Sequence, residues 1–448
     1  MRLQGMVGQT FFALCWVVAL VAQGASLVEA QSEQRIDEAA LRLSLHESLT
    51  QEDGGSTDQT ETLDPDVIDE RVARVREGDI SVRRWIEDAL SRNLRWIDPV
   101  WGGAYRSIGG NDLEASTYEK PLELQAAYIR VYSNASILFQ NNRYRDVAVR
   151  IAEYAVTTLG ANDGYFFNKQ TGAVGPRMTV AEYLTLREVQ RQNYAMPVLD
   201  SDASVRANAL MVQALCDLYT SSLDPRFLDS AKKAMKWLTT RHPLNTRERS
   251  LGGEEVYNET EMVAAMLSLY SVTADRSWLD GALDRLLVVA RGAKIGGIDP
   301  STIGRDVRVV RIVNLASHYS GRKDLREFAE KLSGQIQAVS GSKHSDVTAA
   351  LLLMLEELRS EPAHITVVGA KDEGSARALW LRSLRLGVPY SRREWLDRRE
   401  GPLLNSDTQF PPLSKAAAFL CANKRCSLPL FTDAELSERI EAISLPFH

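Results

Sequence analysis

Two stretches of this chain share one pattern: residues 215–231, LCDLYTSSLDPRFLDSA, and residues 266–282, MLSLYSVTADRSWLDGA. Each contains Leu-Tyr, an aromatic residue eight positions after the Tyr, and then Leu-Asp-x-Ala. Asp224 and Asp275 stand where a helix would begin, and an Asp side chain there accepts hydrogen bonds from free backbone N–H groups. The pattern therefore predicts a repeated pair of helices joined by a short capped turn.

The chain beyond residue 80 repeats this alternation. One helix of each pair is apolar around most of its surface, and the other has a single apolar stripe. Because the first kind must be buried on most sides, the alternation predicts an inner and an outer ring. Residues 80–361 contain about five or six such pairs, which predicts an all-α, (α/α)6-type six-hairpin toroid. An open superhelix is the alternative; closure is favoured because no end repeat has a clearly polar capping face.

The composition is typical of a globular protein and excludes several classes of function. Of 448 residues, 44% are hydrophobic, and 53 basic against 59 acidic residues give a net charge of −6. This charge provides no attraction for a polyanion, so no nucleic acid partner is expected. The six histidines are not at metal-ligand spacing, and no phosphate-binding loop or nucleophile motif is present. We therefore expect neither a metal nor a cofactor.

The N-terminus is typical of a secretory signal peptide, residues 1–30, in which Arg2 precedes an apolar run from Phe11 to Ala22. Cleavage after Ala30 would give a secreted or periplasmic protein without a stable membrane span. The alternative is a membrane anchor formed by the uncleaved segment, although an anchor requires about 20 apolar residues. Residues 31–79 hold fourteen acidic and five basic residues, a net charge of −9, which predicts an acidic flexible linker, within which residues 35–49 can form a short exposed helix.

Four short loops rich in Gly precede predicted inner helices. An outer helix leads into each loop, so all four should emerge at one rim of the toroid. Aromatic side chains together with paired acids are used in carbohydrate chemistry, where one carboxyl group protonates the leaving oxygen and another assists the attack. The aromatic residues predicted to bind substrate at this rim are Trp101, Tyr105, Tyr165 and Tyr257.

Acidic residues near the same loops are candidates for acid/base catalysis. Glu119 is the first choice and Asp202 the second, with Lys120 orienting the substrate. Glu255 and Asp299 are further candidate substrate ligands. The alternative for each acid is a carboxylate in the first turn of a helix, favoured by the helix dipole. The sequence places no pair at the separation that catalysis requires. The remaining acids near the rim are Asp200, Glu254 and Glu261.

Residues 362–448 differ in character from the helical repeats. His364–Gly369 is a β-branched run that ends in Gly, and a second apolar run reaches Cys421, which predicts a small α/β unit packed on the toroid. Cys421 and Cys426 can form a disulfide in an oxidising compartment if the loop between them turns back. Cys216 is expected to be a buried thiol.

Residues from about 95 to the end resemble a family in which a thioredoxin-like domain is fused to a six-hairpin α/α toroid. Its animal members are called spermatogenesis-associated proteins. The resemblance implies a toroid similar to those of glycoside hydrolases and sugar epimerases. The matching motifs are GGAY at 102–105, YEKPL at 118–122, ITVVG at 365–369 and, most specific, FLCANKRCSLP at 419–429.

The chain departs from this family in two places. Thr117 stands where the family has a His, so a chemistry that needs that imidazole could not run here, and residues 31–79 are too short to hold a thioredoxin domain. The chain thus resembles a divergent exported member without that domain. Two functions are compatible with this: a non-catalytic binding or scaffold module of carbohydrate-active ancestry, or a glycoside-processing enzyme, hydrolase or epimerase, that uses carboxylates at the mouth. Acids paired with arginines favour the first, and unpaired acids in one cavity favour the second.

Overall fold

The computed structural model describes residues 38–55, 63–76, 79–106, 119–171, 182, 186, 188–191, 193, 198–244, 252–292, 299–339, 345–422 and 425–444. The predicted signal peptide and the alternative anchor lie outside these residues. Within them, no helix has both the length and the apolar character needed to cross a membrane. The helices are α1 Glu38–Gly55, α2 Pro65–Arg76, α3 Ile80–Asn93, α4 Leu122–Leu138, α5 Asn142–Tyr154, α6 Glu188–Arg191, α7 Val205–Ser222, α8 Pro225–Arg241, α9 Gly253–Thr273, α10 Arg276–Gly292, α11 Ile303–Ser320, α12 Lys323–Val339, α13 Ser345–Arg359, α14 Gly374–Ser383 and α15 Asp433–Ser444.

Six inner helices form a closed ring. Helices α2, α4, α7, α9, α11 and α13 each pack against the next, and α13 packs against α2. Each inner helix also packs against one outer helix: α3, α5, α8, α10, α12 and α1, in the same order. The predicted six-hairpin α/α toroid is therefore confirmed, and the ring is closed rather than an open superhelix.

Burial explains why the two kinds of helix alternate. Inner helix α7 buries side chains on nearly every side, from Ala207 to Ser221. Outer helix α8 buries one stripe, which includes Phe227, Ala231 and Leu238 at helical spacing. Apolar area removed from water contributes about 25 cal/mol per Å², so the inner ring holds most of the core's stabilisation.

The toroid includes residues that the sequence analysis assigned to a flexible linker, and that prediction is wrong for 38–55 and 65–76. Helix α1 packs on α13, where Leu45 and Leu49 meet Leu352. Helix α2 enters the inner ring, and Arg311 of α11 binds Asp66 of α2 at 2.7 Å. These long-range contacts bury one face of α1 and most of the N-terminal half of α2 despite the acidic composition of the segment.

The turns between inner and outer helices follow the predicted capping pattern. Asp224 accepts a hydrogen bond from Arg226 N at 3.0 Å, and Asp275 accepts one from Ser277 N at 3.0 Å. Each Asp follows a residue with positive φ, which ends the inner helix and reverses the chain. The predicted N-caps are confirmed.

Residues 363–444 form the predicted small α/β unit. Its strands are β4 Ala363–Val368, β5 Ser391–Leu396, β6 Ala417–Ala422 and β7 Arg425–Cys426. The sheet has the order β5-β4-β6-β7, with β4 parallel to β5 and antiparallel to β6. Strand β5 contacts α9 and α11, so the unit packs on the toroid, and Ile365 and Trp395 belong to the same core as the inner helices. A disulfide joins Cys421 to Cys426, and Cys216 is buried.

Candidate functional site

The N-terminal ends of the six inner helices surround one open cavity of about 1010 Å³, which we call the mouth. All six helices contribute because each is entered from the same side of the ring. A small antiparallel sheet of three two-residue strands, β1 Lys120–Pro121, β2 Lys169–Gln170 and β3 Leu199–Asp200, lies at its edge. The charged residues that line the mouth are Asp64, Asp66, Arg106, Glu123, Arg130, Lys169, Asp200, Arg206, Glu261, Arg305 and Arg308.

Ion pairs between neighbouring inner helices occupy the mouth. Glu123 of α4 binds Arg206 of α7 at 2.7 Å, and this pair is partly open to solvent, with side chains 44% and 33% exposed. Deeper in the ring, Arg308 of α11 binds Glu261 of α9 at 3.3 Å and donates to Gln213 of α7 at 2.7 Å. The mouth therefore presents fixed carboxylate and guanidinium groups side by side.

The deep pairs keep their acids ionised. Burial raises the pKa of Glu261, but Arg308 and the hydrogen bond from Gln213 outweigh it, so the pKa lies below its ordinary value. Burial likewise opposes ionisation of Asp66, and Arg311 lowers its pKa on balance. Neither acid is held protonated at neutral pH, as a general acid would have to be.

The structure does not bring the two proposed catalytic acids together. Glu119 forms an ion pair with Lys169 at 2.7 Å, beside strand β1. Asp202 is exposed and follows strand β3, on the other side of β2. The register of the strands sets Glu119 level with Val198, four residues from Asp202, so their backbones are farther apart than two strand spacings of about 10 Å. Neither is among the described residues that line the mouth, and their catalytic role stays a prediction.

Lys120 is buried and is not among the described residues that line the mouth, and its substrate-binding role stays a prediction. Its side chain is 2% exposed, and Nζ binds Asp98 Oδ2 at 2.8 Å and donates to the Gly102 carbonyl at 2.8 Å. Tyr105 donates to the same carboxylate at 2.6 Å, and Arg191 pairs with its other oxygen at 3.1 Å. We call Asp98, Tyr105, Lys120 and Arg191 the Lys120 cluster. Its contacts hold the Gly-rich turn at residues 101–105 next to the start of α4.

Burial lowers the pKa of Lys120 to about 8, although Asp98 opposes the shift. The lysine ammonium also lies 4.6 Å from the ring centroids of Tyr105 and Tyr154. Tyr105 is thus occupied by the cluster, in place of the predicted role of substrate platform. Nearby Trp101 is half-buried in the same turn.

Of the four aromatic residues predicted at the rim, Tyr257 lines the mouth in the described structure. Its hydroxyl donates to Asp306 Oδ1 at 2.9 Å, and the guanidinium of Arg305 lies 5.4 Å from its ring centroid. Tyr165 instead stacks on Trp237 of outer helix α8, with ring centroids 4.6 Å apart. That contact places Tyr165 against an outer helix, and its contact with substrate stays a prediction.

The remaining two candidate ligands cap their own helices. Gly252 N donates to Glu255 Oε2 at 2.9 Å, and Ser301 N donates to Asp299 Oδ1 at 2.9 Å. Both side chains are exposed and lie outside the residues that line the mouth. For these acids, the capping alternative describes the structure, and their substrate-binding role stays a prediction.

The residues that the sequence analysis missed are basic. Arg206 lies in the first turn of α7, Arg308 in the second turn of α11, and Arg311 one turn beyond Arg308. A charged residue within an otherwise apolar helix was the available signal, because such a residue needs a partner once buried. Among the described residues, no group of three His, Cys, Asp or Glu side chains is placed to hold a metal ion.

No protein-family model matches the chain, and no curated protein matches it. Membership of the thioredoxin-plus-toroid family therefore stays a prediction.

Solved structures do show similarity. A family 76 glycoside hydrolase from a bovine Bacteroides thetaiotaomicron strain has 11% identity and a TM-score of 0.47, over 65% of this chain and 68% of that one. Cellobiose 2-epimerase from Bacillus thermoamylovorans has 10% identity and a TM-score of 0.43, over 62% and 76%. A GH76 α-mannanase from B. thetaiotaomicron has 15% identity and a TM-score of 0.39, over 53% of this chain and 58% of its own length.

Proposed function

We propose that the protein is a non-catalytic saccharide-binding module whose ligand occupies the mouth. The observation that carries the proposal is that the acids lining the mouth are engaged by other groups in the described structure. Glu123, Glu261 and Asp66 form ion pairs with arginines. Asp64 and Asp200 accept hydrogen bonds from backbone N–H groups. This is the arrangement that favours a binding module over a glycoside-processing enzyme.

A glycosidase of the usual kind needs one carboxyl group that is protonated before the reaction and a second that is free to act on water or the anomeric carbon. Glu261 and Asp66 have lowered pKa values and are held by arginines. They are suited to accept hydrogen bonds from a ligand and unsuited to donate a proton to a leaving group.

The chemistry of the mouth fits a polyhydroxylated ligand. A sugar hydroxyl both donates and accepts a hydrogen bond, and carboxylates next to guanidinium groups offer acceptors and donors at fixed positions. Among the described residues, six basic and five acidic ones line the cavity, so the charge of this part of the lining is nearly balanced. Its volume of about 1010 Å³ accommodates an oligosaccharide end.

We also propose that the protein acts outside the cytoplasm after loss of residues 1–30. The disulfide between Cys421 and Cys426 supports this location, because structural disulfides persist in oxidising compartments.

The test is calorimetric titration of the mature chain with neutral gluco- and manno-oligosaccharides and with uronic acid oligosaccharides. Arg206→Gln removes a guanidinium that is partly exposed in the mouth, and we expect at least a tenfold loss of affinity, about 1.4 kcal/mol. Arg382→Gln is the matched control, since Arg382 forms an exposed pair with Asp433 at 2.7 Å on the C-terminal unit. This variant should bind as the wild type does.

If none of these saccharides binds, the proposal is refuted. Equal affinity in Arg206→Gln and the wild type would also refute it. Prolonged incubation with the bound saccharide, followed by NMR, tests the non-catalytic part. A new reducing end or an epimerised sugar would favour the glycoside-processing alternative.

A further inference from the structure

A second cavity lies on the axis of the toroid, at the opposite end from the mouth. It has a volume of about 180 Å³ and is lined by side chains of the inner helices and by residues 386–391 of the C-terminal unit. We call it the chamber. Arg130, Gln213 and Arg308 line both cavities and form the partition between them. The chamber is therefore a separate site, and a ligand bound in it does not depend on the function proposed for the mouth.

Most of the charges around the chamber cancel in close pairs. Arg130 binds Asp69 at 2.7 Å. Arg311 binds Glu357 through two hydrogen bonds of 2.8 and 2.9 Å. These pairs join α4 to α2 and α11 to α13. Within each pair, the two opposite charges neutralise each other.

Two groups of opposite charge make only weak contacts with their neighbours in the described part of the chain. Asp217 of α7 has Arg130 Nε at 3.8 Å, a distance beyond a hydrogen bond. Arg393 of β5 donates from Nη2 to the Leu386 carbonyl at 3.1 Å, while its Nε is buried and has no hydrogen-bond partner in the described structure. No ion pair within 4 Å joins Asp217 to Arg393 among the described residues. A buried donor without a partner is costly, so a group that satisfies Arg393 would be held firmly.

The size of the chamber limits what can bind there. An engineered apolar cavity of about 150 Å³ in another protein takes up benzene, which has six non-hydrogen atoms. The chamber is slightly larger and adds polar side chains, among them Asn134, Ser268 and Ser271. A molecule of about six non-hydrogen atoms with polar ends therefore fits, and a sugar chain does not.

We propose that the chamber binds a small zwitterionic amino acid, with Arg393 holding its carboxylate and Asp217 holding its ammonium group. Opposite charges at the two ends of such a ligand match these two side chains of the chamber. A small acid without the ammonium group would satisfy Arg393 alone, and an amine without the carboxylate would satisfy Asp217 alone.

The protonation of Asp217 gives this binding a pH dependence. Burial raises the pKa of Asp217 to about 6, against the opposing effect of Arg130, Arg393 and Arg308, while Asp69 adds to the increase. An ammonium ion requires the ionised carboxylate. Affinity for the amino acid should therefore fall about tenfold for each pH unit below 6, whereas affinity for a hydroxy acid should change much less.

The experiment titrates the full mature chain with L-alanine, L-lactate and L-alaninamide by calorimetry at pH 7.5. We expect alanine to bind at least tenfold more tightly than either of the other two. Asp217→Asn should lose at least tenfold in alanine affinity and keep its weaker lactate affinity, and Arg393→Gln should lose both. Arg206→Gln, altered in the mouth, should bind alanine as the wild type does.

The wild-type comparison does not depend on any variant folding. If 10 mM alanine produces no binding signal, or if alaninamide binds as tightly as alanine, the proposal is overturned. Equal alanine affinity in Asp217→Asn and the wild type, with both folded by circular dichroism, overturns the role of Asp217. Loss of saccharide binding in the mouth with alanine binding retained would remove the first proposed function and leave this one.

Discussion

The Lys120 cluster and the mouth lie beside the same helix, α4, and both contain several charged groups, but they differ in their access to water. In the cluster, Lys120 and Asp98 are 2% and 1% exposed. In the mouth, Arg206 and Glu123 are 33% and 44% exposed. A ligand can reach the second pair and cannot reach the first.

This difference separates two roles that charged residues near a Gly-rich turn can have. Removing one partner of a buried pair leaves the other charge unsatisfied in a low-dielectric environment, and the protein becomes less stable. An exposed pair contributes little to stability but offers groups that a ligand can bind. Substitutions in the Lys120 cluster should therefore act on folding, and substitutions in the mouth should act on binding.

The largest expected effect comes from Lys120→Met. The change leaves Asp98 buried with Arg191 as its remaining ionic partner, and we expect the free energy of unfolding to fall by about 3–5 kcal/mol. Urea denaturation followed by circular dichroism measures this loss. The saccharide affinity of the folded fraction should stay within twofold of the wild type.

Lys169→Met is the matched control, because Lys169 pairs with Glu119 at 2.7 Å but is 34% exposed. The free energy of unfolding of Lys169→Met should fall by less than about 1 kcal/mol. If both variants lose the same stability, the distinction between the cluster and the mouth is wrong.

Gly103→Ala should have the next largest effect. Gly103 has φ of +77°, and an added Cβ would lie 2.4 Å from the ring of Tyr154. Backbone strain and overpacking together should cost about 2–3 kcal/mol in the same denaturation experiment. Gly253→Ala, where an added Cβ meets nothing within 4 Å, should be neutral or stabilising by up to about 1 kcal/mol. A neutral Gly103→Ala would show that the turn can move away from Tyr154.

Local signals were sufficient to predict most of the toroid. The spacing of apolar residues and the capping positions Asp224 and Asp275 depend on residues within a few turns of one another. The closing hairpin was missed because the net charge of 31–79 indicated a linker. Leu41, Leu45 and Leu49 already recur at helical spacing in that segment. Its acids are satisfied only by partners far along the chain, such as Arg311 for Asp66, which no local pattern reveals.

The candidate site was predicted less well than the fold. The described N-terminal ends of the inner helices share one cavity, but the sequence could not show which way each side chain points. Lys120 turns inward because Asp98 and the Gly102 carbonyl receive it, and Tyr165 turns outward onto Trp237. These orientations depend on tertiary contacts, whereas the capping role of Glu255 depends on its own helix and could be stated as the alternative.

The smallest predicted effect concerns pH and tests the burial of Lys120 directly. Its pKa is about 8 in the folded protein, below the value of 10.5 for a free lysine. Between these values the unfolded chain binds a proton that the folded chain does not, so this group makes stability rise with pH, by at most about 1.4 kcal/mol per unit. Lys120→Met lacks this titrating group. The difference in the free energy of unfolding between the wild type and this variant should therefore widen by about 1–2 kcal/mol between pH 8 and 9.5. Urea denaturation of both proteins across this pH range measures this difference. A difference that stays constant would mean that the folded protein does not depress the pKa of Lys120.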